Sequence, residues 1–261
     1  MPNVPFLVVP SPKATSGSIT SVKSGLILLS FSCYLFSGSI EGTVSYAGSN
    51  KTPKNLKMDS DPICGTAHTI PPKKEDFILN ETNQFKNVIV WLKDVEFEGE
   101  LNSDSATIDQ SGCIYTPHVN AFTIGQKVFI KNSDQTLHNV NSQSKVNESF
   151  NSAQPAGVPD IEKSFASAEE PFYIKCDVHP WMKAWVMVAG HPYFAVTDEN
   201  GFFKIDNVPT GTYEIVFWQE KLSNLPAKKF NLPSNTLKIT VTDKDTTNAD
   251  FVFDSPANYK K

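Results

Sequence analysis

Cys176, His179 and Met182 fall within the seven residues "CDVHPWM" of a chain that has only four cysteines, five histidines and four methionines. Pro180 and Trp181 stiffen the short loop between the last two. A metal that cycles between two oxidation states needs ligands tolerable to both. A thiolate, two imidazoles and a long, weak thioether supply that set. Three of the four are in this loop. The missing imidazole is offered by His138 in "NSDQTLHNV", at the end of a strand in an otherwise polar loop. On a β-sandwich two such loops can meet at one pole.

Each of these residues also has an ordinary reading. A single cysteine or methionine is usually core packing, but the joint pattern with His138 and His179 weighs against that here. Tetrahedral zinc is the weaker rival, because methionine is a poor zinc ligand. A dinuclear copper centre needs two cysteines in the loop, and Cys176 stands alone. Sites with further histidines beside the cysteine are excluded as well, because the neighbours of Cys176 are Lys175 and Asp177. The chain shows no place for substrate chemistry, so the expectation is that it is not an enzyme.

On these residues the segment 106–190 resembles a cupredoxin, the small blue-copper fold. "FIKNSDQTLHNV" resembles the strand and His-Asn loop of that family, and "YIKCDVHPWMKAWVMV" its ligand loop and final strand. The C-x2-H-x2-M spacing is that of amicyanins. The resemblance implies a single type 1 copper site with His138, Cys176 and His179 as equatorial ligands and Met182 as the axial one. Asn139 would tie the two ligand loops together and orient the ligands from behind. The resemblance further implies that His179, next to Pro180 and Trp181, presents its edge to solvent as the electron-transfer surface.

Cys64-x3-His68 and Cys113-x4-His118 run in parallel. Together they make either a Cys64–Cys113 disulfide beside two unrelated histidines or a second, Cys2His2 metal site. A bridge closing this loop would contribute about 4 kcal/mol in the chain-entropy description. His191 reads as a junction residue.

Upstream, "VKSGLILLSFSCYLFSGS" has Lys23, an apolar run from Gly25 to Phe36 and small residues at Ser37 and Ser39. The run is short for a membrane span and suits a signal peptide cleaved after Ser39. A buried strand and a lipid anchor on Cys33 are the alternatives. Export fits a disulfide, which needs an oxidising compartment. The expected location is periplasmic or secreted, with no membrane span in the mature chain.

The formal charge is −5, and lysine alone supplies the 23 basic residues. No basic run with interleaved aromatics appears, which argues against nucleic acid as a partner. Abundant proline and phenylalanine without long helical periodicity predict an all-β fold. "IEGTVSYAG" (40–48) alternates with period two and predicts a half-buried strand, and "NVIVWLKDV" (87–95) predicts another. "KTPKNLKMDSDPICGTAHTIPPKKED" and "NSQSKVNESFNSAQPAGVPD" read as loops. "EPFYIKC" puts Phe172, Ile174 and Cys176 on one face, and "KAWVMVAG" follows as a strand.

"TDENGFFKIDNVPTGTYEIVFW" resembles carboxypeptidase regulatory-like domains, which are prealbumin-like sandwiches, and "LKITVTDKDTTNADFVF" reads as a closing hairpin. The first strands of that pattern are present only at "EGTVSYAG" and "KNVIVWLKD". The expected organisation is therefore an extension and signal peptide (1–39), a cupredoxin domain (105–190) inserted between the halves of a prealbumin-like sandwich (40–104 and 191–254), and a tail (255–261). Tandem domains are the simpler rival. Three roles are compatible with this chain: one-electron transfer with a redox partner protein, copper storage or delivery without turnover, and a surface adhesin-type sandwich with a vestigial metal site.

Overall fold

The computed structural model describes residues 36–50, 52–226 and 229–260. The apolar run and Cys33 lie almost wholly outside them. The fold is all-β, with two short helices, Pro62–Thr66 and Glu220–Ser223, and a 3-10 turn at Pro256–Tyr259.

Four main sheets carry the architecture. In the first, the strand Ser37–Tyr46 runs antiparallel to Phe202–Pro209 and parallel to Thr246–Asn248 and Phe251–Phe253. The second has the order Phe194–Val196, Ile89–Leu92, Gly211–Trp218, Thr236–Val241. Ile40 and Val44 on one sheet and Val90, Ile215 and Phe217 on the other share a single core. Glycine at 42 lets the parallel strand come close, because a Cβ there would sit 2.7 Å from the backbone of Ala249.

The other two sheets come entirely from residues 106–189. One has the order Asn151–Gln154, His138–Ser142, Glu169–Lys175, Lys183–Ala189, Val119–Thr123. The other joins Ile161–Lys163, Val128–Asn132, Ala106–Gln110 and Tyr115–Thr116. Their core holds Ile108, Ile130, Val140, Ile174 and Val186, together with Met58 and Cys64 from upstream.

The strand Lys183–Ala189 is buried on both faces beyond its first residue. Ala184, Val186 and Val188 face their own core, whereas Trp185 and Met187 pack on Ile89 and Trp218. The Trp185 and Trp218 rings meet at 4.7 Å between centroids. An ion-pair cluster reinforces this seam. Glu220 accepts from His118 Nε2 at 2.6 Å and also pairs with Lys183.

Several expectations are corrected. The first strand runs Ser37–Tyr46 rather than 40–48, its first residue opposite Pro209. The closing hairpin is absent: Thr236–Val241 stays in the second sheet, while the chain after it crosses to pair with Ser37–Tyr46. That crossing covers both edges of one core. The polar segment 141–160 contains the strand Asn151–Gln154, paired to His138–Ser142, where side-chain amides replace apolar contacts as partners. Residues 52–76 are also more than a loop, since they carry the helix Pro62–Thr66.

Two outcomes follow. A fragment of residues 191–254 lacks the strands Ser37–Tyr46 and Ile89–Leu92, so its sheets have no centre. It is expected to be unfolded, and a well-dispersed NMR spectrum would contradict this. The second concerns Glu220, which is 5% exposed. Burial pushes its carboxyl up from 4.5, but His118 and Lys183 outweigh burial and hold it at about 2. A depressed folded value stabilises above the unfolded one, and that stabilisation is lost as pH falls toward 2. Glu220→Gln should cost about 2–3 kcal/mol at pH 7. Urea unfolding should show the gap between variant and parent closing as pH falls from 5 toward 2.

Candidate metal centre

The structure brings His138, Cys176 and His179 together in a buried cluster. His138 opens its strand rather than ending one. The Nδ1 atoms of His138 and His179 face each other at 2.9 Å, and Cys176 Sγ lies 3.7 Å from His179 Nδ1. Two ring nitrogens this close in a dry pocket must share a proton or a cation. Both gaps are shorter than the sum of two metal–donor bonds of about 2.0–2.3 Å, so one ion could bridge them. The donor set therefore fits a copper ion. Met182 is buried on the same loop, which is closed by hydrogen bonds from Met182 N to His179 O (2.9 Å) and from Cys176 N to Met182 O (3.2 Å).

Asn139 joins the loops as the resemblance implies. Its Oδ1 accepts from Asp177 N at 2.6 Å, and its Nδ2 donates to Asn151 Oδ1 at 2.7 Å and to Asp177 Oδ2 at 3.2 Å. Tyr115 fixes the same strand through a 2.6 Å bond from its hydroxyl to Asn139 O.

Each imidazole is also held from behind by a carboxylate. His138 Nε2 lies 2.9 Å from Asp134 Oδ2, and His179 Nε2 lies 3.3 Å from Asp61 Oδ2. Both aspartates are positioned locally. Asp61 caps the helix Pro62–Thr66, its Oδ1 accepting from Ile63 N at 2.8 Å and Cys64 N at 2.9 Å, with proline at the first turn. This cap chemistry satisfies backbone donors at the helix start and leaves Oδ2 for the histidine. Asp134 accepts from Gly112 N and Cys113 N, each at 2.7 Å. Those two residues form the positive-φ centre of a tight hairpin turn. Such a turn favours residues like glycine, so Cys113 at φ 57° is held there by its partners.

Cys64 and Cys113 are joined as a disulfide. Cys64 Sγ reaches to 3.7 Å from His179 Nε2, and Trp181 Nε1 donates to Cys113 O at 3.0 Å. Their sulfurs carry no thiolate for a Cys2His2 site. His68 instead bonds to Gly112 O, and His118 to Glu220 and Lys183 O. His191 lies in the core junction, its Nδ1 accepting from Tyr193 N at 3.2 Å.

The expected solvent-facing edge of His179 is corrected by this arrangement. His179 is 1% exposed, because Asp61 and Cys64 cover the nitrogen that would otherwise point outward. Sequence reasoning missed Asp61 and Asp134. The signals were "SDPICG", which reads as a capped helix start, and an aspartate four residues before His138.

Burial alone would raise the Cys176 thiol. His138 and the backbone N–H groups of Asn139, Val178 and His179 outweigh burial and lower it. Burial likewise pulls His138 down, yet Asp134 and Cys176 raise it to about 9. Without metal, the pair holds a proton that a cation must displace. Copper affinity should therefore rise from pH 6 toward pH 9 and flatten beyond it. Calorimetry in buffers of different ionisation enthalpy should register about one proton released at pH 7.

No protein-family model matches the chain, and no curated protein matches it in sequence. Among solved structures, a Cu-containing nitrite reductase from Thermus scotoductus is similar at 20% identity and TM-score 0.31, over 36% of this chain and 25% of that one. A purple cupredoxin from Nitrosopumilus maritimus is similar at 25% identity and TM-score 0.28, over 33% of this chain and 100% of that one. An oxidized amicyanin mutant is similar at 19% identity and TM-score 0.30, over 34% and 87%.

Proposed function

We propose that this chain is an exported type 1 copper protein that passes single electrons between redox partner proteins. His138, Cys176 and His179, with Met182 on the same loop, are the residues that would hold the copper. The observation that carries the reading is the convergence of one thiol and two opposed Nδ1 atoms in a buried pocket. Copper supplies the one-electron couple, and this chain's residues hold the donors in place and keep water out. Asp61 and Asp134 would fix which nitrogen of each ring is left to face a metal.

Export is supported by the Cys64–Cys113 disulfide, which persists where the compartment is oxidising. Among the described residues no helix is long and apolar enough to cross a membrane. The sandwich built from 40–104 and 191–254 is read as a carboxypeptidase regulatory-like docking or anchoring element that flanks the inserted domain 105–190. Its support is the strand pairing of Ser37–Tyr46 and Ile89–Leu92 with the C-terminal strands.

One observation favours copper storage or delivery instead. The covered edge of His179 closes the route by which a partner would reach the ligand directly. Electron self-exchange separates the two readings, being fast for a transfer protein and slow for a closed store.

Copper(II) should give an intense visible thiolate band that Cys176→Ser abolishes, since the sulfur supplies the transition. Met182→Leu should keep the colour and raise the reduction potential. Stoichiometric copper binding without the band refutes the assignment.

A further inference from the structure

A cavity of about 640 Å³ opens beside the ligand loop, a volume within the range of small-molecule sites. Its inner wall is apolar and aromatic, formed by Leu56, Ile114, Tyr115, Trp181 and Met182. The cavity thus reaches the methionine side of the metal centre, away from the covered edge of His179.

The facing wall is a short ribbon. Asn55 and Lys73 form an antiparallel bridge. Leu56 N donates to Pro72 O at 2.8 Å, and Lys74 N to Lys54 O at 2.9 Å. The ribbon brings Lys54, Lys57, Lys73 and Lys74 to the cavity, all exposed.

Among the described residues none of these four lysines is within ion-pair distance of a carboxylate. The two other lysines at the cavity are neutralised, Lys183 by Glu220 and Lys221 by Asp76 at 2.9 Å. Glu75 is the remaining acid on the lining. A chain of net charge −5 therefore gathers four unpaired cations around one aromatic-floored hollow. Positive charge focused in a concave site raises the local concentration of anions. Exposed lysines alone would attract any anion. The partly exposed Trp181 ring, backed by the buried Tyr115, adds a stacking and burial term that a flat apolar body can use.

We infer that this cavity binds a small aromatic carboxylate, its ring against Trp181 and its acid group toward the ribbon lysines. Its meaning as the open face of the metal centre rests on the copper reading; the binding itself does not.

The probe is 2-naphthoate, with neutral 2-naphthamide as control, titrated into the full-length protein and followed by calorimetry and by amide and indole NMR shifts. Saturable one-to-one binding is expected, weakening with added salt. Shifts should centre on the Trp181 indole N–H and residues 54–57 and 72–75. The amide should bind at least about tenfold more weakly. Lys57→Gln with Lys73→Gln should cost about tenfold in affinity, whereas Lys204→Gln, on another sheet, should cost nothing. Binding should survive Cys176→Ser and metal removal.

No saturation by about 10 mM, an unchanged affinity in the double lysine variant, or shifts mapping elsewhere would each overturn the site. Displacement of naphthoate by a short poly-glutamate peptide of higher affinity would overturn it in favour of a protein partner. In the copper-loaded protein, bound naphthoate should shift the visible band; intact binding with no shift overturns the link to the metal. Intact binding in a protein that never turns blue upholds the cavity and sinks the copper reading alone.

Discussion

Two imidazoles that turn ring nitrogens toward each other across 2.9 Å in a dry pocket repel unless something is held between them. The architecture around the site answers that constraint. A histidine ring left to itself would rotate its free nitrogen toward water. Here each ring is pinned through its far nitrogen by a carboxylate, Asp134 for His138 and Asp61 for His179. The carboxylates are themselves immobilised by backbone N–H groups, which leaves neither ring a cheap way to turn. A pocket prepared in this manner would lose little ordering entropy when a cation enters.

The pinning groups come from widely separated parts of the chain. Asp134 and His138 sit on one loop, but Asp61 arrives from residues 52–76, which leave the first sandwich and cross to the second. The disulfide fastens that crossing to the Gly112–Cys113 turn. The seam of Trp185, Met187, Ile89 and Trp218, with Glu220 between His118 and Lys183, holds the two sandwiches in register beneath it.

What the sequence disclosed follows the range of the interactions. The candidate cluster was legible because Cys176, His179 and Met182 are close in sequence and chemically unusual, and Asn139 because it adjoins His138. Ile40 and Val44 announced their strand by period two. The double-faced burial of Lys183–Ala189 was written in "AWVMVA", where both alternating sets are apolar, yet only a structure says what the second set meets. Asp61 and Asp134 were not legible, because an aspartate in a polar loop looks solvated until its partners are placed. The polar strand Asn151–Gln154 was missed because its pairing is a backbone ladder with no apolar alternation to announce it. The exposed His179 edge inferred by resemblance failed for a long-range reason, namely that residues 118 and 115 positions upstream fold back over it.

That fold-back changes which side chains face outward at the cluster. With its outer nitrogen bonded to Asp61 and shadowed by Cys64, His179 has no free edge. Trp181, two residues further on, is partly exposed. Its indole nitrogen is tied to Cys113 O, its ring lies 5.0 Å from that of His179, and its surface lines the lysine-walled cavity. One side chain thus touches the disulfide turn, the ligand imidazole and the open cavity. The cap that closes the histidine edge also supplies, through Leu56 and its lysine ribbon, the outer wall of that cavity. Closing one approach and shaping the other are therefore consequences of the same 25-residue crossing, residues 52–76.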